Sequence, residues 1–419
     1  MIVGILKERK NPPDKRVVFS PDKLQELKSR FPSVSIKVES SDIRIFSDLD
    51  YKNAGFEVVN DLSDCEILLG VKEIPIEALI SNKKYFFFSH TIKKQLHNRK
   101  LLQAILEKNI ELFDHETIVK ENGVRLIGFG RYAGIVGTYN GFRTIGLKNN
   151  SFHLPKASIL ANQNALIEQL QKIKLPPLKI VLTGSGKVAF GAKEMLDAMH
   201  IKQVSVSEYL EENFTESVFC IIDVLDYNKR KDGKVLDIYD FYNHPEAYES
   251  NFFRFAKVTD FFIAGHFFGD GSPILFSKEN AKDPENKIRF IADISCDIDG
   301  PIASTIRSST IENPIYGYDP ITEKEVDFSD ENAIVVMAVD NLPCELPKDA
   351  SEGFGEMFLE NVIPAFFDGD KNGILSRAKI TENGKLTPRF SYLQDYVDGI
   401  YFKSFYFKSL MVFYLIANS

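Results

Sequence analysis

The sequence predicts an α/β fold of two domains, each built on a parallel β-sheet, and three features carry that prediction. Short apolar runs alternate with helical periodicities through the first part of the chain, a glycine-rich turn joins a strand to a helix near residue 184, and Pro176-Pro177 separates the two stretches. A strand buried on both faces reads as a continuous apolar run, and parallel neighbours need a crossover, so this alternation marks sheets covered on both sides. At 419 residues the chain has room for two or three domains with full-sized cores.

The elements follow in order. Residues 2–6 form an apolar first strand, and Pro21 opens a helical pattern through Leu24, Leu27 and Phe31. Further strands are expected at 34–38, 66–71, 85–88 and 110–113, with a short helical piece at 76–80 and a helix through Leu101, Leu102, Ala104 and Ile105. Residues 128–146 carry Gly130, Ala133, Gly134, Gly137 and Gly141 among Tyr132, Ile135, Val136, Tyr139 and Phe142. That mixture predicts a helix whose small residues admit another backbone closely. A helix at 166–173 stops at Pro176-Pro177, because neither proline can donate to a helix or a central strand. Strands are then expected at 178–183, 203–207, 217–224, 260–264, 289–294 and 333–339, and helical residues from Phe354 to Ile363 return to the first domain. The expected division is 1–135 with 350–400, then 136–349, with 401–419 as an aromatic-rich tail.

Composition narrows the function. At 44% hydrophobic and 26% charged residues the chain is an ordinary globular one. With 51 Lys+Arg against 59 Asp+Glu, net charge -8, it offers no broad cationic surface to a phosphate backbone, so no nucleic-acid partner is expected. Cys65, Cys220, Cys296 and Cys344 stand far apart with no C-x-x-C pair, as buried thiols of a reducing cytosol would; no metal is expected. Met1-Ile2-Val3-Gly4 enters a strand at once, which argues against a signal peptide, and the longest apolar stretch, Leu410 to Ala417, is far too short to span a bilayer. The expectation is a soluble cytoplasmic enzyme without a membrane partner. Oligomeric state leaves no sequence signature.

Two patterns point to chemistry. The first is Gly184-Ser185-Gly186-Lys187-Val188-Ala189 between a strand and a helix. Gly184 permits a tight turn, Gly186 lets backbone approach a pyrophosphate, and Ala189 keeps helix and strand close, while the helix N-terminus offers N–H groups to phosphates. Glu208, about 20 residues beyond the glycines, is spaced to accept from a ribose 2′-OH and to repel a 2′-phosphate, which favours NAD over NADP. The second pattern is a set of polar residues at successive strand ends: Lys72 and Glu73, then His90, then Glu116, with Lys7, Glu8 and Arg16 after the first strand. Parallel strands bring these to one carboxyl edge, where open α/β sheets place ligands, and a lysine, an imidazole and carboxylates together can divide acid and base roles. A dinucleotide domain beside a basic, titratable cleft suggests hydride transfer to or from a small anionic substrate.

Several motifs carry a resemblance: Lys15-Arg16-Val17-Val18-Phe19-Ser20-Pro21, Gly70-Val71-Lys72-Glu73-Ile74-Pro75, Phe88-Ser89-His90, residues 123–134, Ala292-Asp293-Ile294-Ser295-Cys296-Asp297, Val339-Asp340-Asn341-Leu342-Pro343, and Ile380-Thr381-Glu382-Asn383-Gly384-Lys385-Leu386-Thr387. To about Gly399 the chain resembles the alanine dehydrogenase and transhydrogenase superfamily. Within it, the chain looks most like NAD-dependent, lysine-forming saccharopine dehydrogenase and the lysine–ketoglutarate reductase domain of the bifunctional lysine-degrading enzyme. The resemblance implies two Rossmann-like domains with the active site in the interdomain cleft. It also implies a reversible reaction in which saccharopine, NAD and water give L-lysine, 2-oxoglutarate and NADH.

Residue roles follow from the same likeness. Lys72 matches a general base, His90 a general acid, and Glu73 and Glu116 the carboxylates that tune them. Arg16, Arg125, Gln95, Phe129, Ser295, Cys296 and Asp297 match substrate contacts, and Lys93 adds a cation between His90 and Gln95. Gly184, Gly186 and Lys187 match the pyrophosphate loop, Glu208 the ribose ligand, and Ile294, Val339, Asp340, Asn341 and Leu342 residues beside the nicotinamide. There are departures. Val124 replaces an arginine that contacts the cofactor, Phe267 stands at a cofactor-facing position where the lysine-forming enzyme has tyrosine, and residues 226–255 resemble the reductase domain's insert. Some reductases use NADP, so NADP is the alternative cofactor. An alanine-type amino-acid dehydrogenase and a non-catalytic NAD-sensing protein are the competing readings.

Overall fold

In the computed structural model, which describes residues 1–269 and 271–400, the five N-terminal apolar runs become strands of one parallel sheet, and the strand Glu57–Val59, which the sequence reading did not expect, makes a sixth. They are β1 (Ile2–Ile5), β2 (Ser35–Glu39), β3 (Glu57–Val59), β4 (Ile67–Lys72), β5 (Lys84–Phe88) and β6 (Glu111–Asp114), in the spatial order β3-β2-β1-β4-β5-β6. The chain leaves β1 in one direction and returns beyond it at β4, so helices diverge there and open a crevice at the carboxyl ends. The helix Pro21–Arg30 starts as its sequence dictates: the Ser20 hydroxyl accepts the Lys23 N–H and proline fills the first turn.

Leu68, Tyr85, Phe87, Leu102, Ile105 and Leu112 lie in the core of this unit. The helix Pro347–Asn361 also belongs to it, with Phe358 edge-on to Phe19 and Phe86 and Phe354 beside Phe88. Edge-to-face rings add about 0.5–1.5 kcal/mol beyond their burial.

The second unit carries β7 (Lys179–Thr183), β8 (Lys202–Gln203), β9 (Val218–Ile222), β10 (Asn228–Arg230), β11 (Tyr248–Ser250), β12 (Phe261–Ala264), β13 (Phe290–Asp293), β14 (Ile315–Asp319), β15 (Lys324–Val326) and β16 (Ile334–Met337). Its main sheet runs β15-β14-β16-β13-β12-β7-β9-β8. The expected parallel pairing holds from β16 to β8, but β14 pairs antiparallel with both β16 and β15, so the sheet is mixed. A tight turn makes that edge: Asp319 accepts the Ile321 N–H and the Thr322 hydroxyl, and Glu323 takes a left-handed φ of +57°. The strand expected at 203–207 is a second departure. The chain leaves the sheet after Gln203, because Ser205 and Glu208 form a capping box that starts the helix Val206–Glu211. The segment 226–255 contains the antiparallel pair β10–β11.

The glycine-rich stretch is the helix Gly130–Asn149, and it packs without clearance on the helix Lys187–Ala198 that follows the glycine turn. A Cβ at Gly134 would lie 2.0 Å from the Val188 carbonyl oxygen, and one at Gly191 would lie 1.9 Å from that of Arg131. Because this helix packs whole within the second unit, the units divide after Gly128 and Leu346, not at the expected 135/136 and 349/350. The tail at 401–419 lies outside the described residues. Among the described residues no helix is long and apolar enough to cross a membrane.

The crossing yields a prediction. Gly191→Ala should force the two helices apart and destabilise the protein by about 1–3 kcal/mol, the usual cost of overpacking, lowering the unfolding temperature in calorimetry. An unaltered transition would contradict the contact.

Candidate active site

At the carboxyl edge of the first sheet, the backbone around Lys72 is held by side chains from neighbouring strands. The β1–β4 ladder ends at Leu69, and the β4–β5 register shifts between Leu69 and Lys72. Glu8 takes over on that side: its carboxylate accepts the N–H of Val71 at 2.7 Å and of Lys72 at 2.9 Å. Burial, with the charge of Asp14, pushes the Glu8 carboxyl up to about 7. His115 Nε2 lies 2.8 Å from the Gly70 carbonyl. A carbonyl only accepts, so that nitrogen carries the proton, and burial holds the ring neutral by pushing it down to about 3.

The Lys72 ammonium is drawn out of water, 5.7 Å from the centre of the Phe88 ring. Burial first, then the cations Arg16 and Lys10, depress its pKa, against the pull of Asp14 and Glu73. A depressed lysine carries more free amine near neutrality, which is what a general base requires. Glu73 pairs with Lys10 at 3.2 Å. Arg16 departs from expectation. It is buried, and its guanidinium fork is closed on Asp14 through Nε at 3.0 Å and NH2 at 2.6 Å, so the two-bonded grip expected on a substrate carboxylate is already made to Asp14.

His90 follows β5 in the left-handed conformation, φ +54°, ψ 14°. Its buried Nδ1 faces the buried Oε2 of Glu116 at 3.5 Å. Glu116 Oε1 also lies 3.3 Å from Lys93 and 3.8 Å from Arg125, so an imidazole and two cationic side chains converge on one carboxylate. Burial alone would raise the Glu116 carboxyl, but His90, Lys93 and Arg125 outweigh it and hold it low. One neutral-pH carboxylate beneath two permanent cations leaves a positive face toward an anionic substrate. Gln95 is exposed, its side-chain oxygen 3.4 Å from Asn98 Nδ2.

The sequence reading missed Asp114. Fully buried, it accepts the Ser89 N–H at 3.0 Å, the Ser89 hydroxyl in a short bond, and the Glu116 N–H at 2.7 Å. The sole signal in the sequence was an acid closing an apolar strand directly before His115-Glu116.

In the second unit, most residues assigned to cofactor and substrate leave the carboxyl ends of parallel strands. Gly184, Gly186 and Lys187 follow β7, Phe267 follows β12, Ile294, Ser295, Cys296 and Asp297 follow β13, and Val339, Asp340, Asn341 and Leu342 follow β16. Gly184 has φ +100°, and a Cβ there would lie 2.7 Å from the Gly265 oxygen, so the turn demands glycine. Gly186 is the N-cap of the helix Lys187–Ala198 and brings no side-chain oxygen to its first-turn N–H groups. This turn fits a dinucleotide pyrophosphate. Ile294, Val339 and Leu342 are almost wholly buried, the first and last against Gly137. Phe129 is the half-buried N-cap of the long helix.

Asp293, fully buried, organises the β13 loop by accepting the Ser295 and Thr305 hydroxyls, each at 2.6 Å, and the Cys296 N–H at 3.0 Å. The Cys296 thiol lies 3.1 Å from the Ala338 carbonyl, and burial beside Asp293, Asp340 and Asp297 pushes it up to about 12. Glu208 lies on the helix Val206–Glu211 that follows β8. It is half-buried, and its carboxylate accepts the N–H of Ser205 at 2.8 Å and the Ser205 hydroxyl at 2.7 Å.

Comparison with known proteins bears on this arrangement. Residues 4–136 match the alanine dehydrogenase/PNT N-terminal domain. The chain is 30% identical to the α-aminoadipic semialdehyde synthase of Arabidopsis thaliana, over 94% of this chain and 41% of that protein. It is 28% identical to the mitochondrial α-aminoadipic semialdehyde synthase of Mus musculus, over 94% and 47%, and so spans under half the length of these relatives. To the saccharopine dehydrogenase [NAD(+), L-lysine-forming] of Yarrowia lipolytica it is 23% identical, over 78% of this chain and 82% of that one. Among solved structures, an L-alanine dehydrogenase shares the fold with TM-score 0.63 at 18% identity, over 96% of this chain and 100% of that one. A transhydrogenase from Sinorhizobium meliloti does so at 0.55 and 14%, over 92% and 99%. Residues 4–136 thus match the alanine dehydrogenase/PNT N-terminal domain, and the chain is a homologue of the α-aminoadipic semialdehyde synthases and the lysine-forming saccharopine dehydrogenases.

Proposed function

We propose that this protein is a nicotinamide-dependent oxidoreductase that interconverts saccharopine and water with L-lysine and 2-oxoglutarate, with NAD as cofactor. The observation that carries the reading is the pair of proton-handling groups at adjacent strand ends. One is a lysine whose ammonium is disfavoured by burial and two cations; the other is an imidazole set against a buried carboxylate. The homologues supply the substrate.

The chemistry needs both groups. A secondary amine is mostly protonated near neutral pH, and Lys72 as free amine takes that proton so that the nitrogen lone pair can drive hydride off the adjacent carbon. A bound oxidised nicotinamide would accept that hydride. Water then adds to the C=N carbon, and the carbinolamine breaks its C–N bond only once its nitrogen is protonated. His90, steadied by Glu116, delivers that proton and removes one from the new hydroxyl. Arg125 and Lys93 draw the substrate's carboxylates, and Arg16 acts through charge: it keeps Asp14 ionised and disfavours the Lys72 ammonium. The glycine turn and the helix behind it hold the pyrophosphate.

NAD rests on the negative charge of Glu208, which repels a 2′-phosphate. A cytoplasmic location is part of the same proposal; cysteines set far apart in the sequence, with no C-x-x-C pair, suit a reducing compartment. The test is absorbance at 340 nm, the reduced-nicotinamide wavelength, with lysine, 2-oxoglutarate and NADH or NADPH. Turnover of alanine in place of lysine would instead support an alanine-type dehydrogenase, and coenzyme binding without turnover a sensor.

Two outcomes are expected of variants. Lys72→Met should lower saccharopine oxidation by about 10²-fold or more, the usual worth of a general base, with NADH binding almost unchanged. The wild-type rate should climb with pH at values below an ordinary lysine's range, since the folded pKa is depressed, and that climb should vanish in the variant; equal pH–rate profiles would end the assignment. Glu208→Gln removes charge while keeping a capping-box acceptor, so it should relax discrimination against NADPH without loss of stability. A wild-type enzyme already preferring NADPH would overturn the NAD assignment.

A further inference from the structure

Outside the groups given roles above, one buried carboxylate stands out because it holds both Ser89, the residue directly before His90, and the backbone of Glu116, the carboxylate that His90 faces. Asp114 Oδ2 accepts the Ser89 N–H and hydroxyl, directly before His90, and Oδ1 accepts the Glu116 N–H at 2.7 Å. The hydroxyls on either side of His90 are linked, with Ser89 Oγ 2.8 Å from Thr91 Oγ1, and the Thr91 N–H reaches Ser89 Oγ at 3.3 Å. Ser89, Thr91 and Asp114 are fully buried, so water does not compete for these bonds. Between the anchored hydroxyls His90 keeps a φ of +54°. A side chain in that region costs roughly 1–2 kcal/mol, and it persists only where the surroundings over-determine it.

We propose that Asp114 is a positioning residue for the reaction: a single carboxylate that fixes, through Ser89 and Glu116, the orientation of the His90 ring toward its partner. The inference rests on the reading that His90 and Glu116 move protons in turnover. Asp114 touches neither substrate nor cofactor in this role. It sets the 3.5 Å separation from His90 Nδ1 to Glu116 Oε2. A side-chain amide has the same shape but only one accepting oxygen, so its NH2 must face an N–H donor of Ser89 or Glu116.

The test is Asp114→Asn in the full chain, read in two ways. A crystal structure of the variant should show His90 relaxed to negative φ and the His90–Glu116 distance lengthened by about an ångström. Per NADH-binding site, kcat should fall about 10- to 100-fold, within the range for a displaced acid–base group, while KM values and NADH affinity stay within about twofold. A merely structural role would lower the number of NADH-binding sites and leave kcat per site intact. If Asp114→Asn does not fold, Ser89→Ala removes the hydroxyl alone and should give a smaller loss, about 3- to 10-fold, with the same split. An unmoved His90–Glu116 pair, or full kcat per site, overturns the inference. If the wild type turns over neither saccharopine nor lysine with 2-oxoglutarate, the reaction assignment falls, and the variant's His90–Glu116 geometry decides the positioning role by itself.

Discussion

An ammonium group taken out of water at the end of a β-strand is the constraint around which the first unit is arranged. Lys72 is held there by backbone bonds to Glu8, and its neighbours divide into those that disfavour its charge and those that tolerate it. Removing a charge from water costs several kcal/mol unless partners are at hand, and here the nearest partners are chosen to leave the cost partly uncompensated. Asp14, the carboxylate that could have neutralised the lysine, is closed on Arg16. The closure converts a potential ion pair for the base into a cation that works against its protonation.

The second unit solves a different problem, bringing backbone close to backbone. The helix Gly130–Asn149 lies against the helix that begins at Lys187 through Gly134 and Gly191, and a separate close approach sets the turn at Gly184 tight against Gly265. Parallel pairing brings the residues that follow β12, β13 and β16 to the edge from which the glycine turn projects. Asp293 plays for the loop after β13 the part that Asp114 plays in the first sheet: a wholly buried acid accepts from hydroxyl and N–H donors of both adjacent and distant residues.

Much of this was legible in the sequence because the signals were local. Apolar runs ending in Lys72, His90 and Glu116 placed those residues at strand ends, and a strand–glycine–helix pattern placed the dinucleotide turn. Glu8 and Asp114 act across strands: the first bonds residues more than sixty positions away, and no spacing rule announces a carboxylate that replaces a ladder bond. The edge strand β14 was illegible for another reason. It is broken by Gly317 and paired with the polar Lys324–Val326, so neither reads as a buried run. At Ser205-Val206-Ser207-Glu208 the sequence held two signals, a strand end and a capping box, and the local hydrogen bonds prevailed. Arg16 was assigned to the substrate from the family likeness, which did not announce its closure on Asp14, two positions away.

The thiols carry a practical consequence. Burial pushes Cys65 up to about 11 and Cys220 up to about 12, and Cys296 stands equally high behind its acids. Thiolate, not thiol, reacts with maleimides and with peroxide. These three sulfurs are therefore poor handles for fluorescent labelling and poor targets for oxidative damage, and a dye intended to report on the β13 loop would need a cysteine introduced on the surface.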